Sequence, residues 1–169
     1  MTAVLVSPPR WMRWIATWFG CGYARKAPGT VGSLGALPLF ALLSCAPIVS
    51  GSAWSRCIGP LYYWGPVIAL ALLGTVCAHR VARADQASDP QHVVIDEVVG
   101  VLIAMGMVQF LHPASWAVAW LLFRLFDIWK PWPLSAAEHA KPIGLGIMLD
   151  DLLAGVVAGA LTFFLFSQL

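Results

Sequence analysis

The chain has 169 residues, of which 60% are hydrophobic and only 11% are charged, and its mean hydropathy is +0.79. Soluble domains carry about a quarter charged residues, so this composition excludes an ordinary soluble domain and indicates an integral membrane protein. The net charge is only +2 and the basic residues are scattered, which excludes a nucleic-acid-binding protein.

The length corresponds to a single domain over residues 1–169, which begins with an arm of residues 1–26. Tryptophans and arginines of this arm recur at helical spacing: Arg10, Trp11, Arg13, Trp14, Ile15 and Trp18. This amphipathic pattern predicts a helix that lies in the membrane interface.

Five apolar segments follow the arm, and we expect each to be helical. They are residues 32–49, 58–81, 98–111, 116–129 and 152–169. The second is long enough to cross a hydrocarbon core of about 30 Å. The third and fourth, separated by a predicted turn at residues 112–115, either extend at their ends or form a re-entrant hairpin. The pattern predicts an all-α, multihelical membrane protein with about four to five transmembrane or re-entrant helices.

The charged residues are distributed unevenly across the predicted membrane. Most lysines and arginines precede the first segment or follow the second and fourth, which places these ends and the N-terminus in the cytoplasm. All eight acidic residues fall on the same side: Asp85, Asp89, Asp96, Glu97, Asp127, Glu138, Asp150 and Asp151. This clustering predicts a functional site at the cytoplasmic membrane face.

Two adjacent carboxylate pairs, Asp96–Glu97 and Asp150–Asp151, stand just before apolar segments. One carboxylate in a first helical turn contributes ~0.3–1 kcal/mol, so helix capping is one interpretation. Because two neighbouring anions repel, we favour ligation of a divalent cation. Hard oxygen ligands, without clustered cysteines and histidines, indicate Mg²⁺ rather than zinc. Asp89 is a further candidate ligand, with a simple turn residue as the alternative.

The segment FRLFDIWKPWP places Arg124, Asp127 and Lys130 within or beside an apolar run. Ionisable residues are costly there and usually functional. Arg124 is suited to grip a phosphate through two parallel hydrogen bonds, and Lys130 to act as a point charge. The alternative is an internal Arg124–Asp127 ion pair with Lys130 as an anchor at the membrane interface.

The segment KAPGTVGSLG, residues 26–35, is glycine-rich: Pro28–Gly29 predicts a turn, and Gly32 and Ser33 open the first apolar run. Either Thr30 or Ser33 caps the helix that follows, or backbone N–H groups around Gly32 bind an anion at the helix N-terminus.

Four blocks together resemble the signature blocks of the bacterial phosphatidylglycerophosphatase A family. They are APGTVGSLGALPLF, DPQHVVIDEVVGVLIAM, FRLFDIWKPWPL and GIMLDDLLAGVVAG, in the family's order and over nearly the whole chain. The resemblance implies an Mg²⁺-dependent hydrolase that converts phosphatidylglycerophosphate to phosphatidylglycerol and inorganic phosphate in phospholipid biosynthesis. It also implies a multi-pass protein of the bacterial inner membrane, with a phospholipid as partner and the active site facing the cytoplasm.

The matching blocks imply roles for individual residues. The implied metal and catalytic carboxylates are Asp96, Glu97, Asp150 and Asp151. The implied second half of the site comprises Asp127, as a catalytic carboxylate, with the phosphate-binding Arg124 and Lys130. The implied phosphate-side loop contains Thr30, Gly32 and Ser33.

Two other functions remain as alternatives. A small transporter or channel predicts ionisable residues at several depths and on both faces, whereas these are one-sided. A phosphatase that acts on another phospholipid shares all of the features above.

Overall fold

The computed structural model describes residues 7–50, 53–109, 112–132, 135 and 141–168. The helices are α1 (Arg10–Ala16), a 3-10 turn (Cys21–Tyr23), α2 (Pro28–Gly35), α3 (Leu37–Ser50), α4 (Ala53–Ala84), α5 (Ile95–Gly106), α6 (Pro113–Trp129) and α7 (Ile143–Phe166). These ranges contain helices and no strand, which confirms the all-α prediction. Residues 1–6 of the predicted arm and most of the linker before α7 lie outside the described residues.

Three stretches in the described ranges are long and apolar enough to span a membrane: Pro28–Cys45, Pro60–Ala84 and Ile143–Phe166. Helices α5 and α6 are shorter, at 12 and 17 residues. The multihelical membrane prediction is therefore confirmed, and the two short helices correspond to the third and fourth apolar segments.

Helix α7 differs from expectation in where it begins. The prediction that Asp150 and Asp151 precede the last helix is wrong, because α7 begins at Ile143 and the pair lies two turns inside it. An acidic pair before an apolar run is typical of a helix N-terminus. Here Pro142 occupies the N-cap position instead. Both carboxylates are buried, so capping does not explain them.

Two segments expected to be turns also belong to helices. Residues 28–35 form α2, with Pro28 in its first turn, where the missing N–H of proline costs nothing. Helix α6 begins at Pro113, and the Nδ1 atom of His112 accepts a hydrogen bond from the Ala114 N–H at 3.2 Å. In both cases a proline occupies the first helical turn, where it is tolerated.

Helix α5 is the centre of the fold. It packs against α7, α4, α6 and α2, and ten of its twelve residues are buried. A helix that is apolar on all sides requires such an enclosed position. The two acidic residues of its first turn, Asp96 and Glu97, are therefore drawn into the protein interior.

Helices α5 and α7 come close together where Gly100 of α5 faces Gly155 of α7. A Cβ atom on Gly155 would lie 2.4 Å from the Gly100 carbonyl oxygen, and one on Gly100 would lie 2.8 Å from the Asp151 carbonyl oxygen. Small residues allow such close packing of membrane helices. Asp96 and Asp151 each lie one turn before these glycines, so the crossing brings the two acidic helix segments together.

Helix α4 buries one stripe and exposes the other. Tyr63, Val67 and Cys77 are buried, whereas Ile68 and Leu72 are 57% and 67% exposed. The Tyr63 hydroxyl donates a 2.7 Å hydrogen bond to the Leu102 carbonyl oxygen of α5. Exposed apolar side chains along a helix of spanning length indicate a lipid-facing surface.

Candidate active site

A cavity of about 360 Å³ opens where α5, α6 and α7 meet the start of α2 and the loop 85–94. Its lining residues are Ala27, Pro28, Gly29, Asp89, Gln91, Val93, Asp96, Glu97, Arg124, Asp127, Ile128, Lys130, Ile147, Asp150 and Asp151. Side chains that are separated widely in sequence thus share one space.

Negative charge dominates this cavity. Among the described residues, its wall carries six carboxylates and two cationic side chains, Arg124 and Lys130. Asp96, Asp150 and Asp151 are less than a tenth exposed. Buried like charges repel strongly in a medium of low dielectric constant, so this arrangement favours a bound cation.

Arg124 joins three elements. Its Nη1 atom lies 3.3 Å from Glu97 Oε1 of α5 and also pairs with Asp127 Oδ2 one turn along α6. Its Nη2 atom donates to Thr30 Oγ1 of α2 at 3.5 Å. The Arg124 side chain is only 13% exposed. The guanidinium is therefore held in a fixed orientation at the cavity wall.

Lys130 supplies the second cation from the end of α6. Its backbone is left-handed, with φ 44° and ψ 55°, which ends the helix and costs an L-residue about 1–2 kcal/mol. Its Nζ atom lies 2.6 Å from Asp150 Oδ2 of α7. The strained backbone thus directs the ammonium group across the cavity to α7, as strain at functional sites often does.

Glu97 lies against the start of α2. A Cβ atom on Gly29 would lie 1.8 Å from Glu97 Oε1, so only glycine leaves room for this carboxylate. Glu97 Oε2 is buried and accepts no hydrogen bond from the described residues. Burial raises the pKa of Glu97 to about 7, against the opposing effect of Arg124. Glu97 belongs to α5, outside the three stretches of membrane-spanning length.

Asp96 faces the same cavity from the first turn of α5. Its Oδ1 atom accepts a 3.0 Å hydrogen bond from the Glu97 N–H. Burial, followed by the charges of Glu97 and Asp89, raises the pKa of Asp96 well above its usual range. Asp89 is thus close enough to act electrostatically on the α5 pair, and it lines the cavity from the preceding loop.

Most of the expected site residues line this cavity. Those that do are Asp89, Asp96, Glu97, Arg124, Asp127, Lys130, Asp150 and Asp151. The expected phosphate-side residues lie apart from the lining. Thr30 contacts it through Arg124, and Gly32 packs on Val94 and Glu97. Ser33 is fully buried and accepts a hydrogen bond from Trp120 Nε1 at 3.3 Å.

Sequence reasoning missed Ala27, Gly29 and Gln91. Ala27 has a left-handed backbone (φ 47°, ψ 60°) that turns the chain into α2, and no sequence signal marks an alanine there. The block APGT contains Gly29, but its sequence pattern predicts a turn residue and not a contact with Glu97. Gln91 was a neutral side chain in a polar linker.

The donor set fits Mg²⁺. No three carboxylate, imidazole or thiolate side chains in the described ranges converge as ligands of one ion. However, Mg²⁺ keeps several water ligands and takes only one or two carboxylates directly. The wall offers carboxylate oxygens in excess of its cations, including the buried Glu97 Oε2. A partly hydrated Mg²⁺ therefore suits this cavity, whereas a closed site built only from protein ligands does not.

Comparison with known proteins agrees with the four sequence blocks. The profile of the family described as phosphatidylglycerophosphatase A matches residues 14–166. Phosphatidylglycerophosphatase A of Escherichia coli K12 is 31% identical over 153 residues, which cover 89% of this chain and 81% of the relative. The Haemophilus influenzae Rd protein of the same name is 31% identical over 149 residues, which cover 88% and 85%.

A Bacteroides thetaiotaomicron relative with the provisional name phosphatidylinositol-3-phosphatase is 34% identical over 144 residues, which cover 84% of this chain and 85% of the relative. No solved protein structure is detectably similar to this chain. The family match extends over nearly the whole chain and includes every element around the cavity. The chain therefore belongs to the phosphatidylglycerophosphatase A family of phosphoric monoester hydrolases.

Proposed function

We propose that the protein is an Mg²⁺-dependent phosphatidylglycerophosphatase of phospholipid biosynthesis. It hydrolyses the terminal phosphate of phosphatidylglycerophosphate and yields phosphatidylglycerol and inorganic phosphate. The observation that carries this proposal is the cavity in which Arg124 and Lys130 face buried carboxylates beside helices of membrane-spanning length. The names of the E. coli and H. influenzae relatives support the same substrate.

The two cations would bind the phosphoryl group. Arg124 offers a planar guanidinium with several donors, and Lys130 offers an ammonium group that also contacts Asp150. Phosphate monoester hydrolysis is among the slowest uncatalysed reactions, so stabilisation of phosphoryl charge must supply most of the rate. Thr30, which touches Arg124, would keep the guanidinium aimed at the phosphate.

Mg²⁺ would bind among the carboxylates Asp96, Glu97, Asp150, Asp151 and Asp89, one or two of which would contact the ion directly while the others would act through its water ligands. When bound, Mg²⁺ supplies positive charge to the phosphoryl oxygens and makes water more acidic. Asp127 would remain paired with Arg124 and fix its orientation.

Water is the nucleophile that we assign, with a cavity carboxylate accepting its proton. The alternative is attack by a carboxylate, which would form a phosphorylated protein. Acid quenching during turnover of substrate labelled in the terminal phosphate separates the two. Direct attack by water leaves the protein unlabelled, and label on the protein would replace water with a carboxylate in the mechanism.

The position of the cavity suits a lipid headgroup. Trp129 and Trp132, on either side of Lys130, are 70% and 83% exposed. Tryptophan side chains concentrate at membrane interfaces, so this pair would set the depth of the site. With lysines and arginines on the same side, the site would face the cytoplasm at the bacterial inner membrane.

The deciding experiment is phosphate release from phosphatidylglycerophosphate in detergent micelles, with Mg²⁺ and with excess chelator. We expect release that needs Mg²⁺ and that falls by at least about 100-fold in Asp96→Asn and Asp151→Asn. Thermal unfolding would show that both variants are folded. Full activity in chelator would remove the metal from the proposal, and full activity in either variant would remove that residue from the mechanism.

A second candidate substrate class is a phosphoinositide, which the name of the Bacteroides relative favours. The same assay with phosphatidylinositol 3-phosphate and phosphatidic acid measures this directly. We expect the highest kcat/KM for phosphatidylglycerophosphate. A higher value for another lipid would keep the phosphatase and change the substrate, whereas no release from any lipid would favour the transporter alternative.

A further inference from the structure

The N-terminal segment, residues 10–23, is bound to the loop 85–94 that precedes α5. The Val94 N–H donates a 2.9 Å hydrogen bond to the Ala16 carbonyl oxygen at the end of α1. A Cβ atom on Gly22 would lie 2.0 Å from the His92 carbonyl oxygen, so the two backbones touch. The rings of Tyr23 and His92 stack, with centroids 5.5 Å apart and planes 10° from parallel.

A charged cluster fastens the other end of this loop. Arg13 donates two hydrogen bonds to Asp85, with Nη2–Oδ1 and Nη1–Oδ2 distances of 2.7 and 3.2 Å. His92 Nε2 lies 3.0 Å from Asp85 Oδ2. The Asp85 carboxylate, directly after the end of α4, thus contacts both Arg13 of α1 and His92 near the other end of the loop.

The same loop forms one wall of the cavity. Asp89, Gln91 and Val93 line it, and the chain then enters α5 at Asp96 and Glu97 within four residues. Val94 is the N-cap residue of α5, and its side chain makes no capping hydrogen bond. Its backbone is held by the hydrogen bond from the Val94 N–H to the Ala16 carbonyl oxygen. The position of the first turn of α5 therefore depends on the position of the N-terminal segment.

We propose that Arg13, Asp85, His92 and Tyr23 form a clasp through which the N-terminal segment positions the Asp89-bearing wall of the active site. They are positioning residues, since the cavity lining includes none of the four. The side chains of Arg13 and Asp85 are 33% and 22% exposed, and partly exposed ion pairs add little to global stability. Small displacements of catalytic groups, in contrast, cost large factors in rate.

This difference separates a positioning role from a merely structural one. In Arg13→Ala and in Asp85→Asn, we expect kcat for phosphatidylglycerophosphate to fall by about 10- to 100-fold while the thermal midpoint falls by only about 1–3 °C. The double variant should lose no more than either single variant, because both remove the same contact. Arg13→Lys, which keeps the charge, should recover part of kcat. Arg10→Ala, an exposed arginine one turn earlier, is the matched control and should behave as wild type.

Hydrogen exchange supplies a measurement that does not need the substrate. In Arg13→Ala, the amides of residues 85–94 should exchange faster than in wild type, while the amides of α7 exchange at the wild-type rate. In the Arg10→Ala control, exchange in both regions should match wild type. The turnover result rests on the proposed phosphatase activity, whereas the exchange result does not. Unchanged exchange would overturn the clasp. Faster exchange with wild-type kcat would overturn its positioning role, and an inactive wild-type protein would contradict the proposed function alone.

Discussion

Arg124 shows how one side chain can organise a site. Its guanidinium contacts carboxylates of α5 and α6 and the hydroxyl of Thr30 on α2. These contacts depend on a planar group with donors pointing in several directions, which lysine lacks. The sequence predicts a functional role for a cation in an apolar run, but only the folded chain shows that Arg124 also contacts α2 and α5 from α6.

Arg124→Lys should therefore keep the positive charge and lose the planar arrangement of hydrogen-bond donors that contacts α2, α5 and α6. We expect kcat/KM for phosphatidylglycerophosphate to fall by about 100-fold, comparable to the loss of one preorganised donor in other active sites. Steady-state phosphate release measures the change. Arg80→Lys, at an exposed position near the end of α4, is the control. Equal activity of the two variants would show that point charge is sufficient at position 124.

Gly29 is the second residue on which the site depends. In Gly29→Ala the new methyl group would occupy the position of the Glu97 carboxylate, so either α2 or Glu97 must move. We expect activity to fall by at least about tenfold. Gly65→Ala is the matched control, because a Cβ atom there meets nothing within 4 Å. If Gly29→Ala were as active as Gly65→Ala, the placement of Glu97 against α2 would be irrelevant to turnover.

At the scale of elements, the crossing of α5 and α7 does most to build the site. Each helix contributes an acidic pair, and the two pairs converge because the helices touch backbone to backbone at Gly100 and Gly155. Burial of Asp96, Asp150 and Asp151, with Glu97 partly buried beside them, opposes this packing. The tight interface of α5 and α7 must therefore offset the repulsion between these carboxylates.

Gly155→Ala tests this crossing. The added methyl group would meet the Gly100 carbonyl oxygen at 2.4 Å and push α5 and α7 apart. Overpacking of this kind destabilises by about 1–3 kcal/mol, and here it would also separate Asp96 from Asp151. We expect a lower thermal midpoint together with reduced phosphate release. Val156→Ala, at a 46% exposed position of the same helix, is the control and should change neither quantity appreciably.

At the scale of the whole molecule, the chain combines an apolar outer surface with a polar cavity near one end of its helices. Large exposed apolar side chains recur on α4, α6 and α7, including Leu61, Leu121 and Phe164. Lipid tails are the environment that suits such a surface. The N-terminal segment adds a peripheral attachment through the Arg13–Asp85 pair, and this attachment gives the thermal midpoint a small dependence on pH.

The hydrogen bonds from Arg13 hold the pKa of Asp85 below its usual value. Because folding lowers this pKa, the stabilisation is complete above the unfolded pKa and is lost as pH falls through the folded value. The difference in thermal midpoint between wild type and Asp85→Asn should therefore stay constant from about pH 8 to 5 and shrink below about pH 4. A constant difference at about pH 3 would contradict this. The same comparison in a His92→Gln background removes the other ionisable side chain that faces Asp85.

Much of the fold was predictable because its signals are local. The apolar run at residues 58–81 lies within α4, and the third run predicted α5 with an acidic pair in its first turn. The start of α7 was not predictable in the same way. A carboxylate pair inside a helix looks like a boundary until partners such as Lys130 are known.

The sequence by itself determined the apolar helices and predicted the clustering of acidic residues and the cationic pair at Arg124 and Lys130, because hydropathy and charge are properties of composition along the chain. Only the tertiary structure decided which of these groups meet. Arg13 and Asp85 pair across 72 positions of sequence, and Gly29 makes room for Glu97 of a distant helix. Such contacts depend on how closely backbones approach in space, and this distance is a result of packing that no local pattern of residues records.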